Sequence, residues 1–422
     1  MSHFYRVTAS NIHDFTQQIH QDHSDPSNSA PDFQTHLPYR FSCFYETPET
    51  LKVTLTAFIQ ELDNTLSIIE SVSQNPCCFV YSGQGSQFLN MAQPLYDLHH
   101  TRSTLEKLIM LANNQGIDCS NLLYQTCNQY SEHEQVIQST HYSQVCLVIT
   151  QYLIGQLWNQ AGIIPDYLVG HSIGEFSACI QADHYRIEDG LKIVCARGKA
   201  MHKSNIPGNM VACKCSIESI VACQKRFPSI MKHVSVAGIN SQKQIVLSCH
   251  NTKIDELLNV LRHMNIRTIQ LAVNHPFHST HMKPASDLFE AMCAQQTVPK
   301  VISQAPSSQI VINNCTAQPF PPSYGINYWK QHITDTVMFS DSICYAWENG
   351  CRTFIEIGAH PIMTKLIKDS LPNDDHKIVY AQSLKKNMPI DFFYQQLCTI
   401  DTYYQSVDWS RILAADNMRT ST

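Results

Sequence analysis

The chain has 422 residues, 43% of them apolar and 15% charged, and a formal net charge of −6. That balance suits a soluble globular protein, argues against a disordered chain, and gives no reason to expect nucleic acid as a partner. The length allows one large core and one or two smaller units.

The N-terminus has no apolar h-region, so no secretory leader is expected. Residues 1–39 are polar, and QDHSDPSNSAPD (21–32) reads as a flexible loop. YRFSCFYE (39–46) predicts a strand. Thr47-Pro48-Glu49 then opens a helix, with proline near its first position and an acid in its first turn. Leu51, Leu55, Phe58, Leu62, Leu66 and Ile69 place one apolar stripe along it. Residues 1–75 therefore read as a small αβ unit.

CCFVYS (77–82) predicts the first strand of the main domain, and Gly83-Gln84-Gly85-Ser86-Gln87 the turn after it. A long helix is expected near 143–161. Its apolar part, VCLVITQYLIGQLW (145–158), is too short and too polar to span a bilayer and reads as buried. Alternating strands and helices imply a parallel sheet, with ligands at the carboxyl ends of its strands.

The apolar run Tyr167-Leu168-Val169 meets Gly170-His171-Ser172-Ile173-Gly174. A G-x-S-x-G pattern between strand and helix is a nucleophile elbow, in which small flanking residues let a sharp turn expose the serine. Only 14 glycines occur in the chain, so two around one serine is a specific signal. The bland alternative makes Ser172 a helix N-cap.

Residues 208–273 break the alternation. They read strand (MVACKC), helix (ESIVACQKRF), strand (VSVAGI), strand (QIVLSC), helix (TKIDELLNVLRHMN), strand (RTIQLAV). That β-α-β-β-α-β order is ferredoxin-like. Inserted between core segments 76–207 and 274–372, such a unit makes a cleft. His275-Pro276-Phe277-His278 lies where the chain returns from it. Residues 373–422 carry apolar segments that wrap back on the core as a tail.

A serine hydroxyl needs a base to attack near neutral pH, and histidine is the usual one. Twenty-one histidines make any single one weak evidence. His278 stands out by its place at the cleft, against the alternative of a satisfied interdomain histidine. An oxyanion hole needs backbone N–H donors; Ile173 supplies one at the helix start, and the tight Gly83-Gln84-Gly85 turn is the candidate for the other. The turn matches neither a dinucleotide fingerprint nor a P-loop. Most of the 17 cysteines sit in apolar segments, with no C-x-x-C and no HExxH, so no metal is expected.

GQGSQ (83–87), GHSIGE (170–175) and HPFHS (275–279), in this order, resemble the malonyl-CoA:acyl carrier protein acyltransferases. The leading αβ unit resembles the ketosynthase-to-acyltransferase linker of modular polyketide synthases. Tyr328-Trp329 followed by Val337-Met338-Phe339, EIGAHP (356–361) and Val407-Asp408-Trp409 resemble polyketide-type acyltransferases and their trailing linker. The resemblance implies an α/β-hydrolase-like core with a parallel sheet, an inserted ferredoxin-like βαββαβ subdomain and an N-terminal αβ linker unit.

It also implies roles. Ser172 is the nucleophile and His278 its base, in a dyad whose imidazole is oriented by a backbone or amide oxygen. Gln84 and Ile173 donate to the oxyanion. Arg197 holds the malonyl carboxylate, Gln144 lines the site, and His275, Phe277 and Asn240 belong to the substrate side. Glu175 is only a first-turn acid favoured by the helix dipole. HPFH resembles the HAFH type linked with malonyl rather than methylmalonyl, with Pro276 in place of the usual alanine. The implied substrates are malonyl-CoA and a phosphopantetheinylated acyl carrier protein, with no cofactor and a ketosynthase as a candidate neighbour. A cytoplasmic monomer is expected. A proofreading acyl hydrolase and a non-catalytic docking subunit remain as alternatives; the presence of Ser172, His278 and Arg197 together weighs against both.

Overall fold

A computed structural model of the chain describes residues 3–26, 31–32, 34, 37–72, 75–124, 130–295, 301–303, 309–372 and 377–415. At its centre lies a five-stranded, all-parallel sheet in the order Ile310–Ile312, Tyr167–Gly170, Cys77–Tyr81, Thr353–Ile357, Val379–Gln382. All five residues of Cys77–Tyr81 and of Thr353–Ile357 are buried. Strands covered on both faces carry unbroken apolar runs instead of alternation, which is how CCFVY reads. Helix Thr140–Gln160 is buried along most of its length, as its apolar sequence predicts.

One strand falls outside its expected unit. Val379–Gln382, placed from the sequence in a tail beginning at 373, is the fifth strand of the core sheet, paired in parallel with Thr353–Glu356. Pairing with an existing edge satisfies its backbone groups, and four residues are too few to announce that in sequence.

The insert has the predicted order. Its antiparallel sheet runs Val234–Ser241, Gln244–His250, Gly208–Lys214, Arg267–Gln270, with helices Ile217–Arg226 and Ile254–His263. Val211, Ile220, Leu247, Leu257 and Leu261 give it a core of its own. The two connections are clasped together: the Gly208 N–H donates to Asn274 O at 3.1 Å, and a Cβ on Gly208 would stand 2.4 Å from the Pro276 ring. A second tie runs through Val337, whose backbone exchanges hydrogen bonds with Ala237 and Ile239 of the insert.

The N-terminal unit holds more structure than the sequence suggests. His3–Ala9 is a strand pairing antiparallel with Tyr39–Tyr45, and Ile12–Ser24 is a helix. The strand escapes a polarity reading because Arg6 is buried within it, its Nε 2.8 Å from the buried Asp401 carboxylate. The apolar stripe after Pro48 is real, but it lies on two helices, Pro48–Gln60 and Leu62–Val72, separated at Glu61. Trp409 closes the unit against Phe4 and Phe44, with ring centroids 4.4 and 5.8 Å apart.

Asp401 on helix Asp391–Tyr403 binds Arg6 with both oxygens and accepts from the Val407 N–H at 3.0 Å. Asp401→Asn keeps the shape and removes the charge. Hydrogen bonds to charged groups contribute about 1.5–3 kcal/mol, and we expect a loss of that size by denaturant unfolding. A midpoint equal to wild type would show that this buried pair does not hold the N-terminal unit to the core.

Candidate active site

The elbow is built by close backbone approach. Strand Tyr167–Gly170 ends against helix Gly174–Gln181 so tightly that a Cβ on Gly170 would lie 2.1 Å from the Glu175 nitrogen, and one on Gly174 2.4 Å from Tyr81 O. Between them Ser172 takes a φ of +52°. A non-glycine residue in that region costs about 1–3 kcal/mol and persists only where its surroundings enforce it. Here Asn314 enforces it. Its Oδ1 accepts from Ser172 N–H at 2.8 Å, its Nδ2 donates to Gly170 O at 2.6 Å, and its own N–H donates to Glu175 Oε2 at 2.8 Å. Ser172 does not cap the helix; its hydroxyl has another partner.

That partner is His278, whose Nε2 lies 2.7 Å from Ser172 Oγ. His278 Nδ1 lies 3.1 Å from the backbone oxygen of Asp335. A carbonyl can only accept, so Nδ1 carries the proton and Nε2 presents its lone pair to the serine O–H. Burial, reinforced by His332, Arg197 and His171, holds this imidazole well below the ordinary histidine range. It is therefore neutral at pH 7, as a base must be.

Serine and histidine open onto a cavity of about 320 Å³ between core and insert, whose wall includes Gln84, Asn240, Phe277 and Met201. Asn240 Oδ1 lies 2.8 Å from His171 Nε2, and Gln84 Nε2 donates to Ser143 Oγ at 2.8 Å. Gly83 brings the turn so near the elbow that a Cβ there would stand 2.7 Å from His171 O. Among the described residues no acceptor takes the backbone N–H of Gln84 or of Ile173. His275 is not on the cavity wall. Its Nδ1 meets Ile206 O at 2.9 Å, across the two connections to the insert.

Arg197 and Gln144 are fully buried and also absent from the wall. Arg197 Nη1 donates to Gln144 Oε1 at 2.6 Å, its Nη2 lies 3.4 Å from His332 Nδ1, and its Nε has no partner among the described residues. Beside them is Glu175, buried completely, accepting from the Tyr328 hydroxyl and the Asn314 N–H, with His332 Nε2 3.6 Å away. Burial raises its carboxyl to about 8 against the pull of Tyr328, Asn314 and Arg197, and burial lowers the Arg197 guanidinium to about 9. Glu175 is thus a hub of the site, where the sequence suggested only a first-turn acid.

A family model described as the acyl transferase domain matches residues 78–406. The chain belongs to that family. Mycoketide-CoA synthase of Mycobacterium tuberculosis is 30% identical over 312 residues, covering 74% of this chain and 7% of the synthase. Erythronolide synthase EryA3 of Saccharopolyspora erythraea is 23% identical over 392 residues, covering 90% of this chain and 11% of its own length. The chain thus spans a small fraction of these curated relatives. Among solved structures, the acyl transferase domain of ZmaA superposes with a TM-score of 0.82 over 100% of this chain and 98% of that one, at 19% identity. Malonyl-CoA:acyl carrier protein transacylase from Xanthomonas oryzae pv. oryzae gives 0.63 over 74% and 96%, at 24% identity.

Three groups in this acyl transferase domain escaped the sequence reading: Asn314, His332 and the Asp335 carbonyl. None carries a motif. Asn314 and Asp335 act through an amide and a backbone oxygen over 100 and over 50 residues from their partners, and only the fold reveals them. No helix among the described residues is long and apolar enough to cross a membrane.

Proposed function

We propose that this acyl transferase domain moves a malonyl group from CoA to the phosphopantetheine thiol of an acyl carrier protein, in two half-reactions through a Ser172 ester. The observation that carries the reading is the 2.7 Å contact between Ser172 Oγ and a neutral, carbonyl-oriented His278. Ser172 Oγ attacks the thioester carbon while His278 Nε2 takes its proton. The tetrahedral oxyanion is held by the free N–H groups of Gln84 and Ile173. Collapse breaks the C–S bond, and the proton on Nε2 passes to the departing CoA thiolate. In the second half-reaction His278 takes the carrier thiol's proton, the thiolate attacks the ester, and Ser172 leaves with that proton.

Arg197 supplies selectivity for a donor with a free carboxylate. Its guanidinium is planar, buried behind the cavity wall and short of one partner at Nε, which suits a carboxylate that reaches past that wall. Phe277 on the wall disfavours an α-methyl branch; one methyl group changes binding by about 1–3 kcal/mol, so malonyl should lead methylmalonyl by roughly 10–200-fold. No cofactor enters this scheme. A ketosynthase neighbour fits the polyketide synthase relatives, and a cytoplasmic setting belongs to the same reading.

Transfer is separated from hydrolysis by a chase. Acyl-enzyme freed of CoA is mixed with holo acyl carrier protein, with pantetheine as a simpler thiol, or with buffer alone. Acyl transfer to the thiols, with discharge in buffer far slower, is the expected result. Equal discharge in all three would make the domain a hydrolase.

A further inference from the structure

Resting on the reading of Arg197 as the carboxylate-binding group, a second feature of the site acquires a role. Arg197 already has a buried carboxyl near it, that of Glu175. A guanidinium has no lone pair to offer, so in its contact with Arg197 Nη2 the His332 Nδ1 must accept. The proton of neutral His332 then sits on Nε2, on the side of Glu175 Oε2 at 3.6 Å. One imidazole thus stands between a buried cation and a buried carboxyl, and all three side chains lie at 1% exposure or less. Arg197 Nε has no hydrogen-bond partner among the described residues, and His332 lies against the Ser172 backbone as well as Glu175.

The charge count follows. With Glu175 ionised, the cluster is neutral and a substrate carboxylate would add a second anion to a site that water does not reach. With Glu175 protonated, Arg197 is unopposed and the incoming carboxylate completes the pair. Two carboxylates sharing one buried cation cannot both stay ionised cheaply. We propose that Glu175, acting through His332, competes with the donor's carboxylate for the charge of Arg197, so that seating a carboxylate and protonating the Glu175–His332 pair go together.

The surroundings agree. Glu175 faces Arg197 from helix Ile187–Ser204, Tyr328 and His332 from helix Ile326–Thr334, Cys315 from the loop beyond Asn314, and Cys179 from its own helix. His332 faces Arg197, His171 and His278 as well. Burial holds Glu175 at about 8, hence neutral at pH 7, leaving the guanidinium free under ordinary conditions. As pH rises through that value Glu175 ionises, and a carboxylate can then enter only by returning a proton to it from solvent. One linked proton corresponds to a tenfold change per pH unit. Glu175 and His332 are positioning residues in this account, since neither touches the reacting carbon.

The test is the pH dependence, from 6.5 to 9.5, of KM and kcat for Ser172 acylation by malonyl-CoA and by acetyl-CoA. The acetyl donor has no carboxylate and reports everything the two donors share. In wild type the malonyl-to-acetyl KM ratio should rise above about pH 8, approaching tenfold per unit. Glu175→Gln should remove the rise that begins near pH 8, leaving only the loss that sets in when Arg197 itself discharges at about 9, and His332→Asn, made separately in case the first variant folds poorly, should do the same. An alkaline rise as steep in both variants as in wild type would assign the loss to Arg197 itself and overturn the proposal. A flat wild-type ratio would also overturn it. No preference for malonyl at any pH would instead remove the Arg197 reading on which it rests, and the proposal with it.

Discussion

His278→Ala should slow acylation of Ser172 by malonyl-CoA by about 10⁴-fold, the upper range for a positioned general base. The imidazole touches the nucleophile, and no other described group stands within hydrogen-bond reach of Ser172 Oγ to replace it. The wild-type pH profile carries a second signature. Because burial and the neighbouring His332, Arg197 and His171 hold His278 well below its ordinary range, the base stays unprotonated as pH falls through 6.5. The acid limb of kcat/KM should therefore lie clearly below that value. Rapid-quench acylation measures both. A limb near 6.5, or a His278→Ala loss under tenfold, would contradict the dyad.

Arg197→Ala should lower kcat/KM for malonyl-CoA by roughly 10²–5 × 10³-fold, the kinetic equivalent of the about 3–5 kcal/mol lost when one partner of a buried pair is removed. The acetyl-CoA value should fall little or rise, because that donor has nothing to pair. Arg197→Lys should lie between them, since a compact ammonium keeps the charge but not the planar fork. Removing Arg197 also empties a fully buried position beside Glu175, so thermal unfolding must accompany the kinetics. An equal fall for both donors in a well-folded variant would assign Arg197 to structure instead of recognition.

Which parts of this molecule could be read in advance follows from physics. The central strands were legible because burial on both faces forces an apolar run, as in Cys77–Tyr81. The insert was legible because its alternation of strands and helices is periodic and local. The elbow was legible because the clash positions at Gly170 and Gly174 admit only glycine, a residue this chain rarely uses. Strand His3–Ala9 was not, since its buried Arg6 is paid for by Asp401, 395 positions away. The same distance hid the inner site. Asn314 bracing the elbow, Asp335 orienting His278 and His332 joining Arg197 to Glu175 are meetings between remote segments. Three of the predicted substrate-side residues, His275, Gln144 and Arg197, lie off the cavity wall. His275 follows its motif in sequence but spends its ring on the hinge, while Gln144 sits behind the wall, bonded to Arg197, Thr140 and Met201.

The proposed function stands or falls on Ser172 carrying the acyl group between two thiols. It is tested most directly by intact-protein mass after brief incubation with malonyl-CoA, followed by peptide mapping, with Ser172→Ala beside the wild type. One malonyl adduct per chain is expected, located on Ser172 and absent from the variant. An adduct that persists in Ser172→Ala, or wild type that releases CoA at steady state and never carries the group, would contradict it.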